Sequence, residues 1–160
     1  MGALWSFIAL VLRLGVALIL GVAAINKIPD PQKFAFAVKG FKLLPEHLEI
    51  LATFVVPWAE AMCAVLLVVG LWTRAAALLS AGLMAGFIFG IASVLERNMS
   101  VACGCFGDNF RLFCGPTLSW CNVVQNGVIG GAALLVALFG PGAVSIDRIF
   151  APRRVVKKAG

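Results

Sequence analysis

The sequence predicts an all-α integral membrane protein: a four-helix bundle with a short interfacial helix between the first two spans. Of its 160 residues, 62% are hydrophobic and only 12% are charged, and the mean hydropathy is +1.03. A soluble domain keeps roughly a quarter of its residues charged. The apolar residues gather in four stretches long enough to cross a bilayer, at 4–25, 48–70, 74–95 and 118–139.

The first stretch is predicted to be a retained membrane helix rather than a cleaved signal peptide. No basic residue precedes its apolar part, and Arg13 interrupts that part. Only residues 71–73 separate the second stretch from the third, which predicts a tight antiparallel hairpin. An even number of spans places both ends of the chain on the same side of the membrane.

The connection between the first two spans contains a predicted helix of its own. Asp30 followed by Pro31 is typical of an N-cap and the first helical residue. An apolar stripe follows with helical spacing, and three lysines lie largely off it, which indicates a helix on the membrane surface. The stripe consists of Phe34, Ala37, Val38 and Phe41. Pro45 ends the element.

The basic residues are divided equally between the two sides of the membrane. The first and third connections contain Lys27, Lys33, Lys39, Lys42, Arg97 and Arg111, and the opposite side contains Arg74, Arg148, Arg153, Arg154, Lys157 and Lys158. The positive-inside rule therefore gives a tie. Most of the acidic residues lie beside the first and third connections, so we predict cytoplasmic termini and an extracytoplasmic third connection. The basic tail, 148–160, is expected to face anionic lipid, and no nucleic-acid partner is indicated.

Four cysteines lie in or beside the third connection: Cys103 and Cys105 in a Cys-Gly-Cys-Phe-Gly block, then Cys114 and Cys121. Outside the cytoplasm such thiols are oxidised or exchange disulfides. A Cys103–Cys105 bond closes a small, strained ring that is easily reduced, which suits exchange. A structural disulfide is the alternative. The spacing departs from zinc knuckles, so no metal is expected. The sequence leaves all three pairings open.

Polar residues inside the spans are expected to have partners there. Arg13 and Glu60 fall at matching depths in the first two spans, which predicts a buried ion pair between them. Asn126, in the outer half of the fourth span, is expected to hydrogen-bond a neighbouring helix. Gly82, Gly86 and Gly90 recur every four residues, which permits close helix packing.

Several motifs resemble those of the MauE/DoxX family of redox-associated membrane proteins. They are Asn26-Lys27, Asp30-Pro31, Phe34, Leu43-Leu44-Pro45, Pro57-Trp58-Ala59-Glu60, Gly70, residues 103–107 and Asn126. The likeness covers about residues 8–140, and residues 103–107 are its most specific part. It implies a four-span domain over 1–147, followed by the tail. It also implies a thioredoxin-like partner, as for members that mature the disulfide-rich methylamine dehydrogenase small subunit, a redox role for Cys103 and Cys105, and a packing role for Glu60 and Asn126.

The leading hypothesis is therefore a thiol–disulfide oxidoreductase of the bacterial inner membrane. Cys103 and Cys105 form the exchanging pair, and Cys114 and Cys121 form a resolving or structural pair. A thioredoxin-like protein outside the membrane is the partner, and a quinone is a candidate electron acceptor, although no sequence feature marks its site. The alternative is a non-enzymatic accessory subunit of a larger membrane redox complex, in which the disulfides are structural.

Overall fold

The computed structural model describes residues 2–43, 45–97, 114 and 118–140, and within these ranges it contains five α-helices and no strand. They are α1 (Gly2–Lys27), α2 (Pro31–Phe41), α3 (Glu46–Val69), α4 (Thr73–Glu96) and α5 (Trp120–Phe139). All except α2 are long and apolar enough to cross a membrane. The all-α, four-span prediction is confirmed. The predicted domain boundary after residue 147 lies outside the described residues.

The four long helices pack as a closed ring. The closest packing joins α4 to α5 and α1 to α3, and further contacts join α1 to α5 and α3 to α4. Each long helix contributes a fully buried side chain to the centre: Leu20, Leu67, Ile91 and Val136. Large apolar side chains also cover the outer surface, among them Leu18, Trp58, Phe89 and Leu138. Apolar surfaces on both sides of a helix are typical of a bundle surrounded by lipid.

The tight hairpin between the second and third spans is confirmed. Helix α3 ends at Val69 and α4 begins at Thr73. Gly70 adopts the left-handed conformation, with φ of +74°, and its N–H donates to the Leu66 carbonyl oxygen at 2.8 Å. Glycine is favoured at this position because it lacks the Cβ atom that makes positive φ costly.

The short helix between the first two spans is also confirmed. Asp30 Oδ1 accepts a hydrogen bond from the Lys33 N–H at 3.4 Å, and Pro31 is the first helical residue. Phe34, Ala37 and Val38, three of the four residues of the apolar stripe, are buried within the protein rather than turned towards lipid. These residues pack mainly against α3 and α4, so α2 covers the bundle beyond the end of α1.

The α4 glycines differ in what they face. A Cβ atom on Gly82 or Gly86 would meet nothing within 4 Å, whereas one on Gly90 would lie 3.3 Å from the Phe41 ring. Close packing is therefore found at Gly90, where α2 approaches. The three glycines lie on one face of α4, as their spacing predicts. That face lines a groove between α2, α3 and α4 rather than packing against another long helix.

The closest glycine contact between long helices is at Gly130, which predicts a position-specific effect. A Cβ atom there would lie 3.2 Å from Met84 Cβ, but one on Gly131 would meet nothing within 4 Å. We expect Gly130→Leu to destabilise the bundle by about 1–3 kcal/mol through overpacking, and Gly131→Leu to be nearly neutral. Unfolding of both variants in detergent measures the difference, and equal losses would contradict the packing of α4 on α5.

Candidate functional site

A buried ion pair joins α1 to α3 near the middle of the bundle. Lys27 Nζ donates to both carboxylate oxygens of Glu60, at 2.7 Å to Oε1 and 2.9 Å to Oε2. The side chains are only 2% and 1% exposed. A charge in the bilayer interior is expensive without a partner. Pairing therefore lowers the free-energy cost of burying each of the two charges.

Two aromatic rings complete the surroundings of the Lys27 ammonium group. Its nitrogen lies 4.9 Å from the ring centroid of Phe34 and 4.6 Å from that of Phe87. The two rings meet edge to face, with centroids 6.5 Å apart. A cation over the face of an aromatic ring is attracted by the ring quadrupole. Helices α1 to α4 each contribute one residue to this group: Lys27, Phe34, Glu60 and Phe87, respectively.

The predicted partner of Glu60 was Arg13, and the structure corrects this. Arg13 precedes Lys27 by 14 residues on the same helix, which is about 21 Å along its axis. Gly21 faces Ala64, and this register places Glu60 near Lys27. The prediction assumed that the centres of the first two spans lie at the same depth. Instead α1 ends deeper in the bundle and α2 occupies the remaining height. Arg13 is itself buried, at 2% exposure.

Lys27 is the residue that sequence reasoning missed. It follows the apolar run of the first span, so it was counted as a residue of the first connection. Its position in the Asn26-Lys27 motif, shortly before the apolar stripe of α2, was the available signal. A lysine at the end of a span is usually expected to extend to the membrane surface. The short helix that follows prevents this, because Phe34 covers the ammonium group.

Asn126 lies on the buried face of α5 and is 2% exposed. Its side-chain Nδ2 donates to the backbone carbonyl oxygen of Asn122 at 2.8 Å. This bond runs within α5 rather than to the neighbouring helix that the sequence suggested. The Asn122 side chain acts at the start of α5, where its Oδ1 accepts from the Ser119 N–H and the Ser119 hydroxyl, both at 3.0 Å. Both asparagine side chains thus make hydrogen bonds within α5 or to its N-cap residue, Ser119.

The second candidate region is the disulfide at the start of α5. The structure joins Cys114 to Cys121, with Cα atoms 5.9 Å apart. Cys121 is the second residue of α5. Gln125 Oε1 lies 3.3 Å from Cys114 Sγ. We treat this as a contact, because a disulfide sulfur carries no hydrogen to donate.

Of the three other cysteines, the structure describes only Cys63. Cys103 and Cys105 lie outside the described residues. Cys63, which the sequence suggested to be a small buried hydrophobe, is a free thiol inside α3 with no exposed surface. Within the described ranges, no group of three or more His, Cys, Asp or Glu side chains is placed to hold a metal ion.

A lateral groove of about 600 Å³ lies between α2, α3 and α4. Phe34 and Phe87 line it, so the two rings separate the groove from the Lys27 ammonium group. The described lining side chains are all apolar or glycine. Such a lining would suit a hydrocarbon or isoprenoid tail, but it supplies no side-chain donor for the carbonyl oxygens of a quinone ring.

Four spanning helices closed around a buried ion pair define the class of the protein, a multi-pass integral membrane protein. Residues 5–139 match the family described as Methylamine utilisation protein MauE. The chain is 33% identical over 134 residues to Methylamine utilization protein MauE of Paracoccus denitrificans, a match that covers 83% of this chain and 70% of that relative. The chain therefore belongs to the MauE family.

Two further relatives extend the comparison. The MauE protein of Methylorubrum extorquens is 35% identical over 126 residues, which are 77% of this chain and 62% of that protein. Inner membrane protein YphA of Escherichia coli is 31% identical over 150 residues, 92% of this chain and 93% of YphA. The chain spans 52% to 70% of the length of the MauE relatives. No solved structure matches. Together with the four apolar helices, these findings support a multi-pass inner membrane protein.

Proposed function

We propose that this protein is a membrane thiol–disulfide exchange protein that works with an extracytoplasmic thioredoxin-like partner. The observation that carries the proposal is the Cys114–Cys121 disulfide at the start of α5. It brings together two of four cysteines that the sequence concentrates within 19 residues, from 103 to 121. The family name supports a role in methylamine utilisation, and we infer a role in maturing a disulfide-rich protein of that process.

In the proposed reaction, a thiolate of the partner attacks one sulfur of a Cys103–Cys105 disulfide and forms a mixed disulfide. The partner's second thiolate then resolves it. The partner leaves oxidised to a disulfide, and Cys103 and Cys105 remain as a dithiol that holds two electrons. A quinone of the bilayer is the candidate acceptor of these electrons, and Cys114 and Cys121 serve as a resolving or structural pair.

The position of Lys27 supports the proposed orientation. Because Lys27 is buried within the bundle, it no longer counts among the basic residues of the first connection. This leaves five basic residues there and in the third connection, against six on the side of the termini. The positive-inside rule then favours cytoplasmic termini, a cytoplasmic tail from 148 to 160, and an extracytoplasmic cysteine region.

Thiol exchange is the direct test of the proposed function. The purified protein, titrated in redox buffers, is expected to show a cysteine couple well above about −300 mV, the range of labile rather than structural disulfides. Cys103→Ser and Cys105→Ser should each greatly slow oxidation of a reduced thioredoxin, because neither variant can form the Cys103–Cys105 disulfide. Cys63→Ala is the matched control and should retain the parent rate, because that thiol is enclosed within the bundle.

The alternative function is an accessory subunit whose cysteines only stabilise the third connection. It requires every cysteine couple of the protein to have a reduction potential below about −300 mV. It also requires Cys103→Ser and Cys105→Ser to oxidise thioredoxin no more slowly than the parent chain does. Cell-impermeant maleimide, applied to intact cells after mild reduction, tests the orientation separately. Absence of labelling at 103 and 105, with labelling after the cells are opened, would contradict an extracytoplasmic cysteine region.

A further inference from the structure

We propose that the Cys114–Cys121 disulfide is itself redox-active and that it reacts with a fixed polarity. An incoming thiolate attacks Cys114 Sγ, and Cys121 Sγ leaves as the thiolate. This inference rests on the proposed exchange function and resolves the role that the function leaves open for this pair. Three features of the described residues carry it: the place of Cys121 in α5, the contact of Gln125, and the accessibility of the bond.

The first feature is that Cys121 is the second residue of α5, directly after Ser119 and Trp120. The N–H groups of a first helical turn have no carbonyl partner within the helix and carry partial positive charge. No acidic residue lies in that turn to cancel the charge. A helix N-terminus stabilises a cysteine thiolate relative to the thiol. When the disulfide breaks, negative charge on Cys121 is therefore favoured.

The second feature acts on the other sulfur. Gln125 Oε1 lies 3.3 Å from Cys114 Sγ, and Gln125 follows Cys121 by four residues, on the same face of α5. A carbonyl oxygen at that distance accepts a hydrogen bond from a thiol but disfavours a thiolate. After reduction, the Gln125 amide in this orientation, with its oxygen towards the sulfur, favours the protonated form of Cys114. The helix N-terminus and Gln125 therefore both favour negative charge on Cys121 rather than on Cys114.

The third feature is that the bond is accessible from outside the bundle. Cys121 is exposed and Cys114 is partly exposed, and the neighbouring Trp120 is 62% exposed. The disulfide thus differs from Cys63, which has no exposed surface. Exchange is faster when the departing thiolate is the more stable one. An attacking thiolate that reaches this bond should therefore displace Cys121.

The balanced reaction requires a dithiol as the electron donor. Its first thiolate bonds to Cys114 Sγ, the Cys114–Cys121 bond breaks, and the electron pair goes to Cys121. The donor's second thiolate then attacks the donor sulfur of the mixed disulfide and releases Cys114, which takes up a proton. The donor is oxidised to a disulfide, and the pair is reduced by two electrons. The dithiol is either Cys103 with Cys105 of this chain or that of a thioredoxin-like partner.

Trapping experiments on the full chain in detergent distinguish these two sources. For a partner donor, the Cys103→Ser/Cys105→Ser chain is mixed with a reduced thioredoxin whose resolving cysteine is serine, and the adduct is located by mass spectrometry. For an internal donor, the Cys105→Ser chain is examined for a Cys103–Cys114 bond. We expect attachment to Cys114 over Cys121 in roughly fivefold excess, which is the ratio for a helix-terminus effect of about 1 kcal/mol.

Gln125→Met tests the polarity, since it keeps the side-chain length and removes the amide oxygen. We expect attachment to shift towards Cys121 without loss of total adduct, a change that a purely structural role would not produce. Attachment mainly to Cys121 in the parent chains would overturn the polarity. An intact Cys114–Cys121 bond, in a chain whose Cys103 or Cys105 reacts, would overturn the inference and leave the proposed function standing. Failure of every cysteine to react would overturn both.

Discussion

Replacing Glu60 with glutamine is expected to destabilise the folded bundle by about 3–5 kcal/mol, because it removes one partner of a buried ion pair. The Lys27 ammonium group would remain enclosed by Phe34 and Phe87 with an amide in place of the carboxylate. An amide can still accept a hydrogen bond, but it supplies no opposite charge. Unfolding in mixed micelles, followed by tryptophan fluorescence, measures the loss.

A double-mutant cycle assigns the effect to the pair. Lys27→Met alone should also be destabilising, because it leaves the Glu60 carboxylate buried without its cation. The double variant Lys27→Met/Glu60→Gln should lose much less than the sum of the two single losses. Arg13→Met is the matched control on the same helix, and its effect should simply add to that of Glu60→Gln. Coupling to Arg13 with none to Lys27 would contradict the described register of α1 on α3.

The spans and the short helix were predictable because they depend on local pattern. Each long apolar run became a helix with ends within a few residues of the prediction, and Asp30-Pro31 began α2 as expected. Hydrophobic length and helix capping are properties of neighbouring residues, so one sequence contains them. The hairpin at residues 70–72 followed from the same kind of information, because a connection of that length permits little else.

The partner of Glu60 was not predictable in the same way. Which residues share a depth depends on how far each helix is displaced along the membrane normal. The sequence bounds the length of a span but not its displacement relative to another span. Here α1 ends at the level of Glu60 because α2 completes the height of the bundle. The predicted charges were right, a cation on α1 and a carboxylate on α3, but the cation is Lys27 at the end of α1 rather than Arg13 near its centre.

The cysteine region shows a different limit. Four cysteines allow three pairings, and only contact between chain segments selects one. The structure joins Cys114 to Cys121, while the roles of Cys103 and Cys105 remain predictions from the motif. The place of Cys121 in the first turn of α5 depended on where that helix begins. The predicted span began at 118, whereas the helix begins at Trp120, which makes Cys121 its second residue rather than its fourth.

The docking of α2 gives the second large prediction. Phe34 is 3% exposed and Phe36, on the same helix, is 74% exposed. Phe34→Ala is expected to cost about 3–5 kcal/mol, because it leaves a cavity beside Phe87 and exposes the Lys27 ammonium group. Phe36→Ala should change the unfolding free energy far less, since that ring faces away from the bundle. The two variants remove the same atoms from the same helix, so their difference isolates burial.

A third variant separates the two contributions of the Phe34 ring. Phe34→Leu restores most of the apolar volume but has no aromatic face for the Lys27 ammonium group, 4.9 Å from the ring centroid in the parent chain. We expect it to recover most of the loss and to remain below the parent by about 0.5–2 kcal/mol, the range of a cation–π contact. In a Lys27→Met/Glu60→Gln background that remaining deficit should shrink, because the cation is gone. If the deficit is unchanged there, Phe34 stabilises the bundle through packing alone, and the cation–π contact with Lys27 does not contribute to the docking of α2.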